Sequence, residues 1–131
     1  MIHTFGLTHI ALKTTDLDRS FNFYSKVFGV KEMYRAETFI QFQTPGSKDI
    51  IVIEKADEVV HHESGILHFG FRLVSPGDIN VIIDEIEKAG GTIKESGEFV
   101  EGEPYVFFYD PDGYEIEIWY EKISHELSSF N

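Results

Sequence analysis

Asp110-Pro111-Asp112-Gly113-Tyr114-Glu115-Ile116-Glu117-Ile118-Trp119 sets the architecture of the chain. Its first four residues are turn formers, each for its own reason of φ preference or local side-chain hydrogen bonding. Polar and apolar residues then alternate, as in a half-buried strand. The period of two puts Ile116 and Ile118 on one face and Glu115 and Glu117 on the other. The isoleucines need a core behind them. The carboxylates face either water or the inside of a cup; Glu115, nearer the turn, is expected to be a rim charge.

Upstream of this segment the pattern predicts strands over Thr92 to Gly97 and Pro104 to Tyr109. Before them, Ile79, Ile82, Ile83 and Ile86 form a helical stripe that opens at Ser75-Pro76-Gly77-Asp78 and stops at Gly90-Gly91. Ile66 to Val74 is expected to be a strand with His68, Gly70 and Arg72 on one face. The first half of the chain repeats this order. Phe5 to Lys13 reads as a strand with His9 and Lys13 on one face, and Thr14-Thr15-Asp16 caps a helix carrying Leu17, Phe21, Tyr24 and Phe28 up to Gly29. Strands are expected over Lys31 to Ala36, Glu37 to Gln43 and Asp49 to Glu54. Each half is therefore strand, helix, strand, strand, strand.

Such half-length units are too small to bury separate cores unaided, so they are expected to pack together or exchange between subunits. The fold class is α+β: two βαβββ modules in one chain forming a curved mixed-sheet cup with helices on its outer face. Residues 1–131 read as one domain, with the first module over about residues 5–55, a polar linker at about 56–65 containing His61 and His62, and the second module over about 66–122. His61 and His62 are expected to be solvated, and residues 123–131 to form a short amphipathic or frayed tail.

Composition narrows the function. A formal net charge of −12 without clustered Lys or Arg argues against nucleic acid and anionic membranes as partners. Zero Cys excludes disulfides, thiolate catalysis and Cys-based zinc sites, so a metal would need His and carboxylate ligands. The N-terminus lacks a signal-peptide pattern and no window has the length and apolarity of a membrane span, so a cytoplasmic location is expected. His9 and His68 in the first strand of each half, with Glu54 and Glu117 in the last, suit a divalent ion with open positions for substrate.

Thr8-His9-Ile10-Ala11-Leu12, Thr15-Asp16-Leu17, Phe23-Tyr24, Phe28-Gly29, His68 and Asp110-Pro111-Asp112-Gly113 with Glu117 resemble the vicinal oxygen chelate superfamily, over roughly Gly6 to Glu121. The superfamily includes glyoxalase I, methylmalonyl-CoA epimerase, extradiol dioxygenases, fosfomycin-resistance enzymes and bleomycin-resistance proteins; the pattern is closest to small glyoxalase I-like proteins. The resemblance implies a homodimer and one divalent metal ion (Ni, Zn, Co, Mn or Fe) held by His9, Glu54, His68 and Glu117. It implies a glyoxalase-like lyase or isomerase in which Glu117 or Glu54 moves a proton on a small substrate chelated through neighbouring oxygens. Lys13 and Arg72 are expected to bind an anionic substrate group. The alternatives are an Fe(II)-dependent dioxygenase and a metal-free ligand-binding protein of the bleomycin-resistance type. Where glyoxalase I has an Arg four residues after its first His, this chain has Lys13, and Asp57 and Glu58 would repel the carboxylates of glutathione.

Overall fold

A computed structural model describes residues 1–58, 62 and 65–122; the expected tail at 123–131 and His61 lie outside the described residues. The chain divides into two compact units, residues 1–61 and 62–131.

In the first unit the elements are β1 (Ile10–Thr14), α1 (Leu17–Phe28), β2 (Lys31–Arg35), β3 (Phe39–Gln43) and β4 (Ile51–Lys55). The sheet order is β1-β4-β3-β2, with β1 parallel to β4 and the remaining pairs antiparallel. Asp16 caps α1, its Oδ1 accepting from the Arg19 amide at 3.0 Å. Gly29 ends the helix at φ 65, a left-handed conformation that glycine takes without steric cost. Alternation on the strands sends Leu12, Ile40, Phe42, Ile51 and Ile53 to the helix side, where Phe23 and Tyr24 complete the core. Phe42 packs edge-on to Phe21 at 5.7 Å and against Tyr24 at 5.4 Å.

The second unit repeats the plan with β5 (Phe69–Arg72), α2 (Ile79–Lys88), β6 (Thr92–Glu98), β7 (Pro104–Tyr109) and β8 (Glu115–Trp119), in the order β5-β8-β7-β6. Asp78 caps α2 through the Asn80 amide at 2.9 Å. Ile86, Val106, Phe108, Ile116 and Ile118 form its core. The opening motif behaves as its residues require. Asp110 is buried and its Oδ1 accepts from the amides of Asp112 at 2.9 Å and Tyr114 at 3.0 Å, so the turn is held from within. Asp110→Ala would leave those two amides without this acceptor. The expected cost is about 1–3 kcal/mol, read as a lower midpoint in urea denaturation; an unchanged midpoint would contradict this account.

Both first strands are shorter than their apolar patterns suggest. β1 begins at Ile10 and β5 at Phe69, not at Phe5 and Ile66. Among the described residues their strand partners are β4 and β8, and the ladders run Ile10↔Ile51 to Thr14↔Lys55 and Phe69↔Ile116 to Arg72↔Trp119. Apolarity marks the surface a strand buries, but a ladder partner sets its length. His9 and His68 consequently stand one residue ahead of their strands.

Each unit also carries one register shift, between Glu32 and Tyr34 in β2 and between Ile93 and Glu95 in β6. The extra residue of such a bulge re-aims a side chain. In the second unit that residue is Lys94.

Candidate functional site

In the first unit His9, Ala11, Phe39, Gln41, Ile50, Val52 and Glu54 line a hollow of about 250 Å³ on the sheet face opposite the core. His9 and Glu54 are both exposed there. Register fixes their neighbours: Glu54 lies between Lys13 on β1 and Phe39 on β3, while Val52 lies between Ala11 and Gln41. Lys13 thus shares the face of Glu54, as its parity with His9 predicts.

The second unit holds His68, Gly70 and Arg72 on the same face as Glu115, Glu117 and Trp119. Glu117 is opposite Gly70 on β5 and Phe107 on β7. A Cβ built at position 70 would stand 3.0 Å from the Glu117 carbonyl oxygen and 3.5 Å from its Oε1, so the missing side chain at Gly70 makes room for the Glu117 carboxylate. Partial burial pushes that carboxyl above its ordinary range, and the neighbouring His68 draws it part of the way back. Arg72, opposite Trp119, reaches Glu121 at 4.0 Å and its side chain is 67% exposed, which leaves the guanidinium accessible to an anion.

The two ladders do not repeat the carboxylate at equivalent positions. His9 leads to Ala11 and on to Val52, while His68 leads to Gly70 and on to Glu117. Val52, not Glu54, is the counterpart of Glu117, and Glu54 stands one pleat further along, where the second unit has Trp119. Both carboxylates lie on a last strand, and counting along the chain cannot see a two-residue offset between ladders.

The geometry corrects one further expectation. Glu115 is no rim charge: its side chain is only 16% exposed, Lys94 Nζ donates to Oε1 at 2.7 Å, and His68 Nδ1 lies 3.5 Å from Oε2. The contact with Glu115 holds the Lys94 ammonium above its ordinary pKa. His62 is exposed, as expected of the linker, and it also makes a long-range contact. Its Nε2–H donates to the Asp112 carbonyl at 2.8 Å, and its ring stands edge-on to Tyr114 at 4.4 Å. No local pattern around His62 announces this contact, because it is made across most of the unit with the turn itself.

Aromatic rings extend the second face: Phe99 stacks on Tyr105 at 4.0 Å and stands edge-on to Trp119 at 5.5 Å, and His68 is edge-on to Phe107 at 5.3 Å. The structure thus brings His68 and Glu117 together in one unit and His9 and Glu54 together in the other. Among the described residues no group of three or more His, Asp or Glu side chains is gathered closely enough to hold a metal ion. The donor chemistry still fits one: an imidazole beside a partly desolvated carboxylate, with no thiol in the chain, suits a borderline divalent cation.

A probable trivalent organoarsenical cleaving enzyme of Bacillus subtilis is 31% identical over 124 residues, covering 91% of this chain and 82% of its own length. A probable lactoylglutathione lyase of Vibrio cholerae is 29% identical over 129 residues, covering 91% of this chain and 93% of its own. Among solved structures, an E126Q mutant of the fosfomycin resistance protein FosX from Listeria monocytogenes, complexed with Mn(II) and 1S,2S-dihydroxypropylphosphonic acid, shares the fold with a TM-score of 0.76 at 22% identity, covering 98% of this chain and 100% of that one. The family model for the glyoxalase/bleomycin resistance protein/dioxygenase superfamily matches residues 6–118, and with two units of identical strand order, a His ahead of each first strand and Glu117 after the Asp110-Pro111-Asp112-Gly113 turn, the chain belongs to that superfamily.

Proposed function

We infer that this protein is a divalent-metal-dependent, glyoxalase-like enzyme that acts on a small substrate presenting two neighbouring oxygens. The observation that carries the reading is Glu117: a carboxyl raised by partial burial, set over Gly70 and beside His68, is poised for a cation. Of the ligands that the resemblance implies, His68 and Glu117 stand together in the second unit, and His9 lines the hollow of the first. When bound, a divalent ion supplies Lewis-acid stabilisation of negative charge developing on the substrate oxygens. Glu54 is exposed beside the same hollow as His9 and takes the role of proton acceptor. Lys13, across the strand pair from Glu54 in the first unit, and Arg72, on the aromatic face of the second, are each the candidate of their own unit for an anionic substrate group.

The absence of cysteine favours an oxygen-chelating substrate over a trivalent arsenical, whose soft arsenic centre prefers thiolates. Among the described residues no helix is long and apolar enough to cross a membrane. A cytoplasmic homodimer belongs to the same reading; Phe5, Leu7, Ile66 and Leu67 are large apolar residues left exposed ahead of the two first strands.

A second reading rests on the register of Val52. Without a carboxylate at that position the ligand set is two His and one Glu, a set that also serves Fe(II) oxygenases. Metal analysis and thermal melts test the first reading. Protein purified without chelator is expected to carry a divalent metal and to gain thermal stability on addition of Ni, Zn, Mn or Fe(II). Metal well below one per chain with no gain in Tm would overturn it. Oxygen consumption that depends on Fe(II) would favour the second reading over the first.

A further inference from the structure

We propose that Glu115 is the positioning residue for His68: held by Lys94, it takes the Nδ1–H of the imidazole and leaves Nε2 free to face a cation. The inference rests on the reading of His68 as a metal ligand, and it adds a residue that this reading does not require.

The register is the starting point. Phe69 pairs with Ile116 in the parallel β5–β8 ladder, so the residue across from His68 is Glu115, and Glu117 is across from Gly70. The two carboxylates on one face are thereby given different neighbours. Glu117 has a gap in front of it, whereas Glu115 has a ring nitrogen at 3.5 Å. A carboxylate with its side chain only 16% exposed needs a compensating charge. Lys94 provides it at 2.7 Å, and it reaches Glu115 because the register shift in β6 adds it as the extra residue on that side of the ladder. The Lys94 ammonium also lies 5.9 Å from the centre of the Phe107 ring, with which His68 makes a T-shaped contact at 5.3 Å. Glu115 is therefore fixed at one oxygen by Lys94, with the other directed at His68.

Orientation of a ligating imidazole by a carboxylate at its second nitrogen sets the tautomer and raises the basicity of the ligating nitrogen. A carboxylate can only accept, so the proton shared with Glu115 sits on Nδ1. The lone pair then sits on Nε2. In the first unit the extra residue of the corresponding register shift is Met33, so this orienting pair is confined to the second unit.

The test uses the full chain labelled with ¹⁵N-histidine. The tautomer of His68 is read by long-range ¹H–¹⁵N correlation in the metal-free protein and assigned among the six histidines with His68→Gln. Mn(II) affinity is measured by calorimetry on the same samples. The wild type is expected in the Nδ1–H form. Glu115→Ala should move His68 to the Nε2–H form and weaken Mn(II) binding by about 10–100-fold. Glu115→Gln, whose amide oxygen still accepts from Nδ1–H, should keep the tautomer and recover part of the affinity. A wild-type His68 in the Nε2–H form, or an alanine variant unchanged in both tautomer and affinity, overturns the proposal. If Glu115→Ala does not fold, the wild-type tautomer decides alone. A wild type in the Nδ1–H form that binds no Mn(II) would uphold the Glu115–His68 pairing and defeat the metal-dependent reading.

Discussion

His68→Ala is expected to weaken Mn(II) binding by at least about 100-fold, since losing even an orienting partner of a ligand costs about 10–100-fold. The same variant should melt close to the wild type without metal. The His68 side chain is 37% exposed, it stands outside the β5 ladder, and its contacts include a T-shaped one with Phe107 and one oxygen of Glu115. Substitutions at such positions typically change stability by about 0.5 kcal/mol or less. Loss of affinity with retention of fold is the signature of a ligand, and loss of both would make His68 a structural residue. The pH dependence follows from Glu117. Its carboxyl is raised above 4.5, so in the metal-free protein the folded state holds its proton longer than the unfolded chain does. That contribution to stability is present at low pH and is lost as pH rises through the folded-state titration. A bound cation favours the ionised carboxylate, so the gain in Tm on adding Mn(II) should grow as pH rises through the same range. A gain independent of pH there would remove Glu117 from the ligand set.

Local chemistry made most of the elements legible. Asp16 and Asp78 cap the helices they were expected to cap, Gly29 stops the first, and the alternation in Glu115 to Trp119 divides the core from the open face. These are signals carried within a few residues. What depends on pairing between distant strands was hidden. The offset that makes Val52 the counterpart of Glu117, the bulge that delivers Lys94 to Glu115, and the contact of His62 with Asp112 are all properties of registers and long-range contacts. Face assignment survived because it needs only parity along one strand, which is why His68, Gly70, Arg72 and Glu117 were correctly grouped. The contacts of Glu115 with Lys94 and His68 were missed because parity says which face a residue takes and nothing about which cross-strand neighbour it meets.

Phe42→Ala is expected to destabilise the fold by about 3–5 kcal/mol. The ring is fully buried at 0% exposure, in contact with Phe21 and Tyr24, on the strand that joins β2 to β4. Truncation removes the transfer free energy of the ring and leaves a cavity between α1 and the sheet, whose backbone ladder restrains collapse. A drop in Tm of roughly 10 °C or more follows for a chain of this size. Phe39→Ala is the informative partner. Phe39 is on the same strand, but it differs in parity and lines the hollow with His9 and Glu54. It is half-buried and touches Tyr34 at 5.7 Å, so its loss should cost about 1–2 kcal/mol, within the range for partial burial of an aromatic side chain. The two variants therefore separate core from site on a single strand: a large loss at Phe42 with a small one at Phe39 supports the assignment of faces. Equal losses would mean that the hollow is filled by packing, and Glu54 would then lose the open ground on which its role as proton acceptor depends.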